Sequence, residues 1–141
     1  MYQPDINYWA VLVAGIAPMI LGALWYSPML FGNSWAKLAG VKPEGAKKGA
    51  AKAYILMFIL ALVLAFIMAH FVDFAIRVYP DRELWSVGLT TGFFAWLGFV
   101  VTTKGAQFLF AQKSWKYYLI DIGYHFIEFL AVGLILAAWR G

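Results

Sequence analysis

The chain contains no cysteine, and only 13% of its residues are charged. The first absence excludes disulfides, thiolate metal sites and thiol nucleophiles. The second, set beside a hydrophobic share of 64%, excludes an ordinary water-soluble domain, whose apolar share is about 45–50%. No Lys or Arg precedes the first apolar run, which argues against a cleaved signal peptide. No GxSxG frame surrounds Ser27, Ser34, Ser86 or Ser114, and no HExxH motif occurs, so hydrolytic and zinc-protease chemistry lack a basis in sequence. Neither enzymatic activity nor a cofactor is expected.

What the chain does contain is four long apolar runs, roughly Ile6–Tyr26, Ala53–Val78, Leu84–Thr103 and Trp115–Trp139. Each is long enough to cross about 30 Å of hydrocarbon as a helix. The expected fold is an all-α integral membrane protein with four transmembrane helices, forming one domain over residues 1–141, with the lipid bilayer as its first partner. Trp9, Trp25, Trp85, Trp115 and Trp139 lie near the ends of these runs, where amphipathic rings anchor to the headgroup zone. Trp96 is the exception, in mid-span.

The basic residues divide by side. Lys37, Lys42, Lys47, Lys48 and Lys52 fall between the first and second runs, and Lys104, Lys113 and Lys116 between the third and fourth. Arg77, Arg82 and Arg140 remain for the other face, where Asp73, Asp81 and Glu83 cluster. An excess of Lys and Arg marks cytoplasmic loops, so both termini are expected outside. The net charge of +4 then reflects lysines beside anionic lipid headgroups. It gives no sign of nucleic-acid binding.

Between the first two runs, Ser27 can cap and Pro28 can start a short interfacial helix through Met29, Leu30, Phe31, Trp35 and Leu38, ended by Gly40. Val41 to Lys52, containing Pro43, reads as a solvated linker. The run Gly22, Trp25, Tyr26, Ser27, Pro28, Phe31, Gly32, Trp35, with the pairs Gly98-Phe99 and Gly123-Tyr124, resembles the signature of the domain of unknown function 1761 family of small bacterial and archaeal membrane proteins. The resemblance implies a four-span protein of the prokaryotic plasma membrane. It implies no activity and no site residue.

The chain also resembles itself. Trp9 precedes Gly22 at the interval by which Trp85 precedes Gly98, and Leu30-Phe31 with Ser34-Trp35 is echoed by Leu109-Phe110 with Ser114-Trp115. A duplicated two-helix hairpin would produce this, with its halves related by an axis along the membrane normal. Small residues predict the packing faces: Ala10, Ala14, Pro18 and Gly22; Ala61, Ala65 and Ala69; and the GxxxG of Gly88 and Gly92. Pro18 is expected to bend its helix.

The functional candidates lie in the fourth run. Asp121, His125 and Glu128 are spaced four and three apart, which puts them on one helical face. Ionisable groups at membrane depth cost about 2.5–3.5 kcal/mol each on insertion scales and normally face a partner, a cavity or a pathway. His70 and Asp73 are near neighbours on the second helix, and His70 falls at a depth similar to that of Glu128. Three roles are open to this group: a neutral His–Glu clasp between helices, a proton or cation path, and a metal or haem site. The functional expectation is a small proton- or cation-coupled transport or permeation protein that assembles as a homo-oligomer. The alternative is a structural or lipid-binding membrane module.

Overall fold

A computed structural model of the chain describes residues 1–42 and 49–140. The linker position Pro43 and the expected cytoplasmic lysines Lys47 and Lys48 lie outside the described residues. All secondary structure among the described residues is helical: α1 (Tyr8–Trp25), α2 (Gly32–Ala39), α3 (Ala50–Val78), α4 (Leu84–Ala95), a π-helical segment (Trp96–Val101), α5 (Thr102–Ala111) and α6 (Trp115–Ala138). Four helices are long and apolar enough to cross a membrane, one of them the continuous rod from Leu84 to Ala111.

Local chemistry sets the ends. The Asn7 side chain accepts from the backbone N–H groups of Trp9 and Ala10 and caps α1, and Ser114 accepts from Tyr117 N–H to cap α6. Gly40, at φ 73°, ends α2 as expected. The start of α2 differs from expectation. Ser27 donates its hydroxyl back to the Leu24 carbonyl at 2.7 Å, so it closes α1 instead of capping α2. A turn follows, in which the Ser27 carbonyl accepts from Leu30 and Gly32 N–H, and α2 begins four residues later than Pro28 would start it.

The third span is also longer than the apolar run. Lys104 ends the run in sequence but lies inside the helix, because Asp121 neutralises it at 3.2 Å. Gln112, at φ 54°, stops the helix instead. Within this rod the π segment withdraws carbonyls from the usual ladder. Thr102 and Thr103 donate their hydroxyls to the Gly98 and Phe99 carbonyls there.

α6 is the centre of the bundle. It packs on α1, α3 and α4, while α3 packs on α1, α4 and α6; α1 and α4 share no extensive contact. Two antiparallel hairpins, α1–α3 and α4–α6, placed side by side produce this pattern. Their details differ: a Cβ on Gly22 would meet the Tyr124 hydroxyl at 3.2 Å, whereas Gly98 faces open space.

The small residues are the packing faces. Ala10, Ala14, Ala65, Ala69, Met68, Val72, Val132 and Leu136 form one buried core. The tightest seam joins α4 to α6, where a Cβ on Gly88 would lie 2.4 Å from the Gly133 carbonyl oxygen and one on Gly92 2.3 Å from that of Phe129. Only glycine permits that approach of two backbones. Pro18 sits within an unbroken α1, and its carbonyl accepts the Tyr124 hydroxyl at 2.9 Å.

The two chain ends meet at one end of the bundle. Buried Asp73 receives Arg77 Nε at 3.0 Å, the Tyr2 hydroxyl at 2.8 Å and the Arg140 guanidinium. Arg77 also donates to the Gln3 carbonyl at 2.9 Å. At the opposite end, Lys113 reaches the Ala39 carbonyl at 3.4 Å.

Candidate functional site

About two turns of α6 carry the site. The spacing places Asp121, His125 and Glu128 along one stripe, and each finds a partner. Lys104 Nζ lies 3.2 Å from Asp121 Oδ2; Asp121 Oδ1 lies 3.7 Å from His125 Nε2; and His125 Nδ1 lies 2.5 Å from Glu128 Oε2. The 3.7 Å approach is electrostatic, because it exceeds hydrogen-bond reach. The 2.5 Å contact requires a proton between nitrogen and oxygen, carried by the imidazole beside a carboxylate or by the carboxyl beside a neutral imidazole. The ends of the series differ most in exposure: the side chains are 37% exposed for Lys104, 17% for Asp121, 23% for His125 and 8% for Glu128.

The stripe borders a cavity of about 310 Å³. Pro18 and Met19 of α1 form part of its wall, with Met57, Leu60, Ala61 and Leu64 of α3. Val100 of the π segment lines it too, followed by Thr103 and Lys104 of α5 and by Tyr124, His125, Glu128 and Phe129 of α6. The π segment and the turn that follows it thus turn Val100, Thr103 and Lys104 toward the stripe, a placement typical of π-bulges at functional sites. A larger cavity of about 570 Å³ lies between α3 and α4, but no histidine or carboxylate lines it. Of the two, the smaller is the one lined by a histidine and a carboxylate.

The cavity does not cross the bundle. Beyond Glu128 the core is Ala65, Met68, Val72 and Val132, all apolar and buried. The next ionisable group is Asp73, beside Leu136, about 12 Å farther along α6 at 1.5 Å per residue.

Two sequence candidates lie elsewhere. His70 bonds back to the Phe66 carbonyl at 2.8 Å through Nδ1 and sits edge-on to the Phe66 ring. It lies outside the cavity lining and does not meet Glu128, because depth alone does not fix which way a side chain points around α3. Asp73 belongs to the ion cluster that ties the chain ends together, so His70 and Asp73 do not extend the stripe. Glu128 bonds within its own helix, to His125 three residues away, and His70 is not its partner. Among the described residues, no three His, Asp or Glu side chains gather as metal ligands.

Aromatic donors hold the helices instead. Trp25 Nε1 donates to the Ile120 carbonyl at 3.1 Å, Trp96 Nε1 to that of Ile122 at 2.8 Å, and the Tyr118 hydroxyl to that of Val101 at 2.8 Å. Sequence reading assigned Trp25 to the interface and left Trp96 in mid-span; their polar tips, which need partners when buried, were the available signal.

The motif Gly22 to Trp35 buttresses this half of α6. The Trp25 ring packs on Phe31 at 4.6 Å, and Tyr26 contacts both Trp35 and Tyr124. A Cβ on Gly32 would lie 2.2 Å from the Tyr26 carbonyl oxygen, so the turn closes only with glycine there. A family model described as Protein of unknown function (DUF1761) matches residues 9–137. The chain belongs to that family. No curated protein and no solved structure matches it. The match includes both the motif and the α6 stripe, so in this DUF1761 protein the two meet at one place in the fold.

Proposed function

We propose that the protein is an integral membrane protein that exchanges protons at the His125–Glu128 pair and couples that exchange to permeation of a small solute or cation. One observation carries this reading: Lys104, Asp121, His125 and Glu128 form a chain of polar contacts, and Lys104, His125 and Glu128 line one cavity, with Glu128 the most buried of the four. A buried carboxylate in a membrane helix is costly, and Glu128 ties no two helices together, which leaves a chemical role to account for it. The lysine-bearing face is the cytoplasmic side on this reading, with both termini outside, in a prokaryotic plasma membrane. The apolar outer faces suit lipid and further copies of the chain.

The test is proton flux into proteoliposomes, followed with an internal pH dye. Wild-type protein should carry flux above that of empty vesicles, and Glu128→Gln should abolish it. Flux equal to that of empty vesicles for the wild type overturns the reading. Cysteines introduced at Lys37 and Asp81 should label from opposite sides.

A second reading, a non-catalytic module that binds a lipid or hydrophobic ligand, draws on a different observation. The apolar block at Ala65, Met68, Val72 and Val132 closes the cavity toward the Asp73 end. Saturable binding of an apolar ligand without flux would favour it.

A further inference from the structure

The charges around the cavity nearly cancel. Lys104 and Asp121 form one pair, and His125 with Glu128 is neutral when Nε2 carries its own proton and a second proton lies between Nδ1 and the Glu128 carboxylate. α1 and α3 contribute only apolar side chains to the wall. The one further ionisable wall group is Tyr124, whose hydroxyl is committed to the Pro18 carbonyl, with Tyr26 behind it. If the shared proton leaves for water at the Lys104 end, one negative charge remains on Glu128 in an apolar recess. That state is costly unless another cation takes the proton's place.

Resting on the proton-exchange reading, we propose that the cavity exchanges this proton for one lipophilic organic monocation, and that the two compete for the Glu128 carboxylate. The wall chemistry selects the class. An inorganic cation must replace its water shell with a set of about six oxygen ligands, and the side-chain oxygens of this wall come from Thr103, Tyr124 and Glu128 alone. A cation whose charge is covered by alkyl or aryl groups needs no ligand set. Met57, Leu60 and Leu64 bury its apolar surface, and the Glu128 carboxylate meets its charge. A volume of about 310 Å³ is near the lower end of small-molecule sites, about 300–1,000 Å³, so the cation is small. An anion has no counterpart, because Asp121 already neutralises Lys104.

The probe is benzyltrimethylammonium, with neopentylbenzene as its uncharged isostere and sodium and benzoate as ion controls, added to detergent-purified protein in lightly buffered solution. Benzyltrimethylammonium should bind with release of about one proton per cation, because the recess stays neutral. Neopentylbenzene should bind without release, and sodium and benzoate should do neither. Glu128→Gln should abolish proton release and weaken cation binding about tenfold or more, yet keep neopentylbenzene binding, which shows the cavity is still folded. Cation binding without proton release, equal cation affinity in Glu128→Gln, or proton uptake with benzoate each overturns the proposal. If Glu128-dependent proton flux occurs in vesicles but the cation releases no proton, this inference falls and the proton-exchange reading stands. If the cation displaces a proton in detergent but vesicles carry no flux, the site stands and coupling to permeation falls.

Discussion

Glu128 Oε2 lies 2.5 Å from His125 Nδ1, one turn back along the same helix. A bond between residues three apart on α6 adds little to how α6 meets its neighbours. Removing it therefore affects proton chemistry more than assembly of the bundle.

Glu128→Gln should lower stability by about 1 kcal/mol or less, the worth of one hydrogen bond, because the amide can still bond the imidazole. Thermal unfolding in detergent measures this. A large loss would mean that Glu128 holds helices together after all.

Asp73→Asn should cost more. It leaves Arg77 and Arg140 without their shared carboxylate at a position only 2% exposed. Breaking a buried pair costs about 3–5 kcal/mol; since Arg77 is half exposed, about 2 kcal/mol is expected here after solvent screening. Hydrogen exchange should rise in residues 1–7, which Arg77 and Asp73 hold through Gln3 and Tyr2. Unchanged exchange there would contradict the assigned role of the cluster.

Gly133→Ala puts a methyl group 2.2 Å from the Gly88 carbonyl oxygen. Two backbones must separate, so a loss of about 1–3 kcal/mol is expected from overpacking. Gly98→Ala, with open space around it, is the control and should change little beyond helix propensity. Equal melting temperatures for the two variants would refute the α4–α6 seam.

Tyr124→Phe removes the donor to the Pro18 carbonyl and keeps the ring against Gly22. A loss of about 0.6–1 kcal/mol is expected, in line with side-chain hydrogen bonds between membrane helices. A double-mutant cycle with Gly22→Ala should show coupling, since that Cβ would lie 3.2 Å from the same hydroxyl. Strict additivity would indicate that the ring, not the hydroxyl, makes the contact.

Much of the fold was legible because period and hydropathy are local properties. Ala10, Ala14, Ala61, Ala65, Gly88 and Gly92 could be read as packing faces from spacing alone, and they are buried. Lys104 was misleading for the same reason. A charge ends an apolar run when only neighbours in sequence are counted, but Asp121, seventeen positions away, allows it to stay within the rod.

The stripe of Asp121, His125 and Glu128 followed from the sequence because residues three and four apart must share a helical face. Their surroundings did not. The angle at which α3 presents His70, the retreat of Asp73 into the cluster at the chain ends, and the turning of Val100, Thr103 and Lys104 toward α6 all depend on how four helices rotate against one another. Those rotations are set by contacts between distant residues, above all the backbone seam at Gly88, Gly92 and Gly133 and the aromatic donors Trp25, Trp96 and Tyr124. Hydropathy along one chain carries no record of them, so His125 and Glu128 became part of the wall of a cavity only in the tertiary structure.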